Sequence, residues 1–285
     1  MASPVQISVT QLSRLVGTPG APVIIDARNS EDFNDDPRLI PAAIRCEFPS
    51  VIDEIDSVVD VIGSRRAVVY CQKGLKISEG VAALLRSKGV SAEVLEGGQF
   101  GWRDAGMLMA NEVYGNNVRR NTSGHSVWVT RTRPKVDRIA CAWLIRRFVD
   151  PNATFMFVTG SQVALVAEKF HATPFDVEDV LFSHRDSNCT FETMLQEFGL
   201  HGECKTAVAL NRLATVVRGA DTGRLDLAPQ CAGLMAVSLG LSRQYSDDLE
   251  QLEAGMHLYD AMYRWARDAF DEKHEWSGAG HTVVV

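Results

Sequence analysis

The sequence predicts two domains: an α/β domain with a parallel sheet, followed by a mainly helical α+β domain. Three observations support this prediction. A chain of 285 residues corresponds to about two domains at ~100–200 residues each. Short apolar runs alternate with helical patterns between residues 7 and 109, which is typical of a parallel sheet. After about residue 188, apolar residues recur almost entirely at helical spacing.

In the first domain, predicted to cover 1–110, short apolar runs indicate buried strands at 23–25, 67–70 and 92–95. A helical pattern over 78–88 stops at Gly89, a residue type that commonly ends helices. Residues 111–125 are polar, rich in Asn and Gly, and without periodicity. They predict a linker.

The second domain is predicted to cover 126–275, with a tail at 276–285. We expect strands at 127–129, 154–158 and 180–182, and a helix at about 136–149. Helices then follow at 188–198, 204–218, 229–239 and 246–272. The 204–218 helix is apolar on almost every side, which predicts a central position in a bundle. The last helix carries one apolar stripe, which favours a core position over an oligomer interface; it consists of Leu249, Leu252, Met256, Tyr259, Tyr263, Ala266 and Phe270.

Composition excludes several classes of protein. The chain has 29 Lys and Arg against 36 Asp and Glu, a net charge of −7, so it lacks the basic surplus of a DNA-binding protein. No run reaches the ~18 apolar residues that a membrane span needs, and the N-terminus lacks the pattern of a signal peptide. We therefore expect a cytoplasmic protein. Its six cysteines form no CxxC pair, which predicts reduced thiols rather than a zinc finger or disulfide scaffold.

One cysteine stands between a predicted strand and a predicted helix, where residues 70–78 read Tyr-Cys-Gln-Lys-Gly-Leu-Lys-Ile-Ser. This position directs backbone N–H groups and a helix N-terminus toward Cys71, which favours bound anions and lowers the pKa of a thiol. The pattern predicts a nucleophilic Cys71 beside an anion-binding loop made of Gln72, Lys73, Gly74, Leu75, Lys76 and Ile77. The alternative is a buried structural cysteine, which is about as common.

Four separated motifs relate this domain to a known family. They are Ile-Asp-Ala-Arg at 25–28, Leu-Ile-Pro-Ala-Ala-Ile-Arg at 39–45, the cysteine loop, and Leu-Glu-Gly-Gly-Gln-Phe-Gly-Trp at 95–102. Together, residues 5–109 resemble a single-domain rhodanese. The resemblance implies that Cys71 carries sulfane sulfur as a persulfide, with Asp26 and Arg28 in support. The sulfur would come from thiosulfate or another donor and pass to a thiophilic acceptor.

The loop departs from the family pattern at two positions. Active rhodaneses commonly have Cys-x-x-Gly-x-Arg, whereas this sequence has Lys76 at the Arg position and Ile77 after it. Lysine keeps the charge but lacks the planar fork that binds sulfonate or phosphate in a bidentate manner. The sulfur donor therefore stays open. Cys46 is either a resolving thiol or a small core residue, and we favour the core position.

Basic residues are concentrated where the second domain begins. Arg131, Arg133 and Lys135 precede or enter the predicted 136–149 helix, with Asp137 and Arg138 in its first turn. Three cations of this kind are candidates for binding an oxyanion. Ion pairing with acidic neighbours is the alternative, and the more common arrangement.

A second group of residues has the chemistry of metal ligands. His184 follows the predicted 180–182 strand, and the acidic candidates are Glu192, Asp221 and Asp260. Oxygen and imidazole ligands suit Fe, Mn or Zn better than copper, and we expect no organic cofactor. The alternative is that these carboxylates pair with arginines, of which this half has many: Arg185, Arg218, Arg224, Arg264 and Arg267.

Residues 126–267 resemble the C-terminal domain of the ChrB chromate-resistance family. The likeness is carried by residues 128–148, 174–177, 183–185, 218–221 and 258–261. The family is associated with bacterial chromate resistance, often as a regulator or an accessory to an efflux transporter, which implies chromate or a related oxyanion as a partner. Members typically place a different domain ahead of this one. Three functions stay open: a sulfurtransferase, a non-enzymatic chromate or metal sensor, and a metal-dependent redox enzyme.

Overall fold

The computed structural model describes residues 5–112 and 117–272. The first domain contains a five-stranded parallel sheet in the order β1-β5-β4-β2-β3. Its strands are β1 (Gln6–Ile7), β2 (Val23–Asp26), β3 (Ala43–Arg45), β4 (Ala67–Tyr70) and β5 (Ala92–Leu95). All four residues of β2 and of β4 are buried, because helices or the second domain cover both faces. The predicted α/β class and all three predicted strands are confirmed.

Six helices surround this sheet: α1 (Val9–Ser13), α2 (Ser30–Asp35), α3 (Ser50–Asp53), α4 (Ile55–Ile62), α5 (Lys76–Ser87) and α6 (Gly98–Asp104). Alternate strand residues point to opposite faces, so each face has its own core. Ile25 belongs to the core with α4 and α5, where Val58 and Leu85 pack against it. Ile24 faces the other way, into a core that continues into the second domain.

The second domain has a small sheet of β6 (Val127–Arg131), β7 (Thr154–Val158) and β8 (Thr173–Pro174), parallel and ordered β7-β6-β8. Helix α7 (Val136–Leu144) continues as a π-helical turn, Ile145–Val149, and α8 (Val163–Lys169) follows β7. The helical part comprises α9 (Thr190–Glu197), α10 (Lys205–Asp221), α11 (Cys231–Gln244) and α12 (Asp248–Asp268). The predicted strand at 180–182 is wrong: only Phe182 pairs, in a single bridge with Phe175.

Helix α10 lies at the centre of the bundle, as its apolar composition predicts. It packs against α7, α9, α11 and α12, and its apolar side chains are buried. The stripe from Leu252 to Ala266 on α12 is core, whereas Leu249 at the start of this helix and Phe270 beyond its end are exposed. Among residues 5–112 and 117–272, no helix has the length and apolar composition needed to cross a bilayer.

The two domains share a continuous apolar core. The ring of Phe148 contacts Gly17 so closely that a Cβ there would lie 2.2 Å from Phe148 Cζ, and the Phe148 carbonyl accepts a 2.8 Å hydrogen bond from Ala42. Residues 113–116 of the predicted linker lie outside the described residues. Further along it, Arg119 donates hydrogen bonds to the second domain, from its backbone N–H to Thr173 Oγ1 and from its guanidinium to the Ala167 carbonyl. The predicted tail and the last residues of the predicted domain, 273–275, also lie outside the described part.

The topology gathers several loops at one edge of the small sheet. Strand β6 leads into the N-terminus of α7, and β8 leads into the 175–189 loop, so both connections leave the carboxyl ends of parallel strands. That edge is where ligands bind in open α/β sheets. It is therefore the first place to examine for a functional site in this domain.

Candidate functional site

A carboxylate–histidine cluster occupies this edge: His184 surrounded by Asp137, Asp176 and Asp221. Asp137 lies in the first turn of α7, Asp221 ends α10, and Asp176 and His184 lie in the loop after β8. His184 Nε2 is 3.5 Å from Asp137 Oδ2, 3.6 Å from Asp176 Oδ1 and 3.4 Å from Asp221 Oδ2. Three separate segments of chain thus bring four ionisable side chains to one point.

Asp137 is held rigidly by a neighbouring helix. Its Oδ2 accepts a 2.8 Å hydrogen bond from Thr190 N, and its Oδ1 a 3.0 Å hydrogen bond from Phe191 N. These are N–H groups of the first turn of α9, which have no acceptor within their own helix. Asp137 is almost fully buried, yet a carboxylate has about four lone-pair positions. It can therefore hold α9 and still face His184.

Asp176 is anchored on both oxygens and sits on a strained backbone, with φ at +51°. Thr190 Oγ1 donates to Oδ1 at 2.9 Å, and Arg138 Nε donates to Oδ2 at 2.8 Å. Burial alone would raise the pKa of Asp176, but the contacts with His184 and Arg138 outweigh it and hold the pKa below its usual value. Left-handed backbone at a non-glycine residue is costly and concentrates at functional sites.

The remaining members carry opposite pKa shifts. Contacts with Asp137 and then Asp176 raise the pKa of His184 to about 10, despite partial desolvation. Burial, followed by the charges of Asp137 and Asp176, raises the pKa of Asp221 to about 6. Without another cation, His184 is therefore an imidazolium that neutralises part of the carboxylate charge at neutral pH.

The four metal ligands predicted from the sequence do not all lie together. His184 and Asp221 lie in the cluster. Glu192 lies beside it: Oε2 accepts from Cys189 N at 3.1 Å, closing a capping box on α9, and Oε1 is 3.0 Å from Arg218. Burial raises the pKa of Glu192. Glu192 is thus engaged with a helix end and an arginine.

Asp260 belongs elsewhere, so the prediction that it shares a metal with His184 is corrected. Its carboxylate accepts two 2.8 Å hydrogen bonds from Arg147 and a 2.9 Å hydrogen bond from Trp143 Nε1. The arginine supplies the positive charge that a buried carboxylate requires. The partner is Arg147, which is not among the arginines that the sequence suggested.

The predicted oxyanion residues also separate. Arg131 is half-exposed, lies 3.5 Å from Asp176 Oδ2 and lines a cleft beside the cluster. Arg133 instead donates to the carbonyls of Tyr245 and Ser242, which joins the 132–135 loop to the end of α11. Lys135 is exposed. Of the three, only Arg131 is positioned at the cluster.

The cluster contains two residues that the sequence did not select as site residues: Asp137 and Asp176. Their signal was topological. Asp137 lies in the first turn of the helix after β6, and Asp176 is the second residue after β8, so both stand near the carboxyl ends of parallel strands. The missing information was β8 itself, whose two residues carry no periodicity.

The geometry fits a metal ion. Among the residues that the structure describes, Asp137, His184 and Asp221 form the one group of three such side chains whose ligand atoms all lie within 4.8 Å of one another. Hydrogen bonds between nitrogen and oxygen are normally about 2.7–3.2 Å. Adjacent ligands at about 2.1 Å from a tetrahedral ion lie roughly 3.4 Å apart. The spacings of 3.4–3.6 Å match the second value.

In the first domain, Cys71 directly follows β4 and is 5% exposed, with Sγ 3.3 Å from Ser78 Oγ. The loop turns tightly against the 97–98 segment. Gly74, at φ +69°, approaches so closely that a Cβ would lie 2.5 Å from the Leu95 carbonyl oxygen, and Gln99 N donates to the Cys71 carbonyl at 2.9 Å. Lys73, Leu75 and Lys76 are exposed, whereas Gln72 and Ile77 are partly buried.

Asp26 and Arg28 form a fully buried ion pair, with 2.6 Å between Arg28 Nη2 and Asp26 Oδ2. Arg28 also donates to the carbonyls of Asp36 and Arg38. The pair therefore fixes the chain between α2 and β3, a structural form of support. Burial raises the pKa of Cys46 to about 12, so this thiol stays protonated at neutral pH.

Comparison with known proteins agrees with this architecture. Residues 8–105 match the family model of the rhodanese-like domain, and residues 128–266 match that of the ChrB C-terminal domain. Protein ChrB of Cupriavidus metallidurans is 33% identical over 153 residues, which cover 53% of this chain and 44% of that protein. The match thus spans less than half of that relative.

Two solved structures are similar to the first domain. Thiosulfate sulfurtransferase from Pseudomonas aeruginosa is 24% identical, with a TM-score of 0.32. The match covers 37% of this chain and 19% of the sulfurtransferase chain. A rhodanese-related protein from Thermoplasma volcanium is 19% identical, with a TM-score of 0.30. The match covers 36% of this chain and 95% of that protein. By the two family models, the chain consists of a region that matches the rhodanese-like domain followed by a region that matches the ChrB C-terminal domain.

Proposed function

We propose that the ChrB-type domain binds one divalent transition-metal ion through Asp137, His184 and Asp221. The observation that carries this proposal is the spacing of 3.4–3.5 Å between His184 Nε2 and the carboxylate oxygens of Asp137 and Asp221. It is long for hydrogen bonds and matches the distance between neighbouring ligands on one ion. One imidazole among carboxylates is an oxygen-rich set that suits Mn, Fe or Zn.

The surrounding contacts support the same assignment. Metal ligands are usually oriented by a further layer of hydrogen bonds. Here Thr190 donates its N–H to Asp137 and its hydroxyl to Asp176, so one residue orients two of the carboxylates. Asp176 is left outside the ligand set, because its two oxygens already accept hydrogen bonds from Thr190 and Arg138.

The competing explanation is a structural ion network around a protonated His184. The two explanations differ in metal content. We would measure metal by plasma mass spectrometry in the full chain after exposure to Mn, Fe or Zn and removal of excess ion. One ion per chain is expected, lost in His184→Gln and Asp137→Asn and retained in His257→Gln, an exposed histidine outside the cluster. Full metal content in His184→Gln would contradict the proposal.

A second activity is favoured by the Cys71 loop. We propose that Cys71 accepts sulfane sulfur, because the thiol follows a buried strand, precedes helix α5 and lies in a loop held by close Gly74 and Gly98 contacts. With thiosulfate, the Cys71 thiolate would attack the outer sulfur, and the S–S bond would break to release sulfite. Cyanide would then take the sulfur as thiocyanate and restore the thiolate.

This activity is tested by the cyanide-released thiocyanate of thiosulfate-treated protein. About one equivalent is expected, abolished by Cys71→Ser and unchanged by Cys46→Ser. A wild-type chain without labile sulfur would exclude the activity with this donor. In the setting that the ChrB resemblance implies, a sulfur-carrying thiol and a metal site would together act in resistance to chromate or a related oxyanion.

A further inference from the structure

A cleft of about 730 Å³ opens beside the carboxylate–histidine cluster. His184, Asp176 and Arg131 lie along it. The rest of its lining is largely apolar and comes from α8 and the segment around β8: Val163, Ala164, Ala167, Pro174, Val177 and Val180. Sites for organic ligands typically have about 300–1,000 Å³ and a mainly apolar lining with a few polar groups.

The size of the cleft argues against a bare inorganic anion as its occupant. A water molecule takes about 30 Å³ in the liquid, so a four-oxygen anion needs on the order of 100 Å³. Such an anion would leave most of the cleft, and all of its apolar wall, in contact with water. An apolar body of several carbon atoms would instead bury that wall, at roughly 25 cal/mol per Å² of apolar surface.

Arg131 supplies the charge that the ligand must match. Its side chain is 49% exposed, and its one recorded ion pair is the 3.5 Å contact with Asp176 Oδ2. A guanidinium has five N–H donors, so Arg131 has donors left for a ligand in the cleft that it lines.

The charges around the cleft place the anionic group at one end. Arg119 also lines the cleft, but its guanidinium donates to the carbonyls of Ala167 and Ala172. Asp176 is already neutralised by Arg138 at 2.8 Å. Glu168 and Glu178 are exposed and also line the cleft, so they repel a second anionic group. The favoured ligand is therefore charged at the Arg131 end and apolar along the α8 wall.

We infer that this cleft binds an organic anion with an apolar body, its anionic group bound by Arg131 next to His184. The inference rests on the proposed function only in that the anionic group would lie beside the metal ion. The contacts with Arg131 and with the apolar wall belong to the protein itself.

The test is calorimetric titration of the full chain with three probes: 2-naphthoate, the uncharged 2-naphthamide, and sulfate, which has charge without an apolar body. Metal content is measured in the same samples. Naphthoate should bind at least tenfold more tightly than either other probe. Arg131→Gln and the cleft-filling Ala164→Trp should each weaken it at least tenfold, while Arg224→Gln, an exposed arginine paired with Asp226, should not.

Each result decides a separate point. Equal affinity for sulfate would overturn the organic ligand, and equal affinity for naphthamide would overturn the anionic group. Tight naphthoate binding in both Arg131→Gln and Ala164→Trp would overturn the location, and no binding of naphthoate would overturn the inference as a whole. Metal content that stays at one ion per chain in these cases leaves the metal proposal standing. Metal-free protein that binds naphthoate through Arg131 contradicts only the metal proposal.

Discussion

His184 Nε2 lies 3.4 Å from Oδ2 of Asp221, the last residue of α10. The contact joins the loop after β8 to the end of the central helix of the bundle. Its two members have pKa values raised to about 10 and about 6 for different reasons: carboxylate neighbours for His184, and burial for Asp221. The cluster therefore changes its protonation in two separate steps, which determines how it competes for a cation.

Metal affinity should depend steeply on pH. The ion requires neutral His184, whose pKa in the metal-free protein is about 10, so one proton must leave as the ion binds. Between pH 6 and 8 the affinity should rise about tenfold per pH unit. Below pH 6, Asp221 also takes a proton, and the dependence should approach a hundredfold per unit.

Calorimetric titration with Mn²⁺ or Zn²⁺ in buffers of different ionisation enthalpy gives both the affinity and the number of protons released. We expect close to one proton at pH 7. An affinity that is flat across this range would show that His184 is not a ligand.

Removing the Asp221 charge should stabilise the metal-free protein. The pKa of this carboxyl is raised to about 6, so its ionisation costs more free energy in the folded chain than in the unfolded chain. This penalty builds up between about pH 4 and about pH 6 and is complete at higher pH. Asp221→Asn should therefore increase the free energy of unfolding at pH 8 by about 1 kcal/mol, after allowance for its partial exposure. The gain should disappear below pH 4, where both states carry the protonated acid.

The same variant should lose metal binding, so stability and function change in opposite directions. Urea unfolding in chelator measures the first effect, and metal content measures the second. Asp226→Asn, at an exposed ion pair with Arg224, is the control and should show neither change. A less stable Asp221→Asn protein in chelator would mean that this carboxylate is a structural partner of His184.

Asp260 should affect stability without affecting metal content. Asp260→Asn leaves an acceptor for Trp143 but places an amide N–H₂ against the partly buried Arg147 guanidinium. Loss of one member of a largely buried ion pair costs about 3 kcal/mol. Denaturant unfolding should show this loss, and plasma mass spectrometry should find the metal unchanged. Glu253→Gln, at the exposed pair with Arg146, should cost under about 0.5 kcal/mol; metal loss in Asp260→Asn would restore Asp260 as a ligand.

The sequence was informative where residue type and periodicity determine the structure. Buried strands β2, β4 and β5 are mainly apolar runs, and α10 is apolar on almost every side, so both the sheet and the bundle centre could be predicted. His184 and Asp221 could be selected as candidates because one follows a predicted strand and the other lies near the end of a predicted helix. Asp260 was mistaken for a ligand because the sequence does not show that Arg147 lies opposite it.

Asp137 and Asp176 were missed for a related reason. Each becomes a site residue only when β6 and β8 pair side by side, in the register Val129 to Pro174. A two-residue strand has no pattern of its own, so tertiary packing determines it. The same limit applies to the contact between the domains, since nothing in the composition of residues 111–125 indicates how Phe148 meets the first domain.

That contact yields the last prediction. Gly17→Ala should destabilise the whole chain, because the new Cβ would lie 2.2 Å from Phe148 Cζ in a shared core and the residue would keep a φ of +76°. Gly89→Ala is a matched control: its φ is +86°, but nothing lies within 4 Å of the new Cβ. Both variants carry the backbone cost of about 1 kcal/mol, and Gly17→Ala should lose roughly 2 kcal/mol more from overpacking. Because the core is continuous, calorimetry should show one unfolding transition, whose midpoint temperature falls in Gly17→Ala. Equal losses of unfolding free energy in the two variants, or a second transition whose temperature does not change, would mean that the domains fold independently.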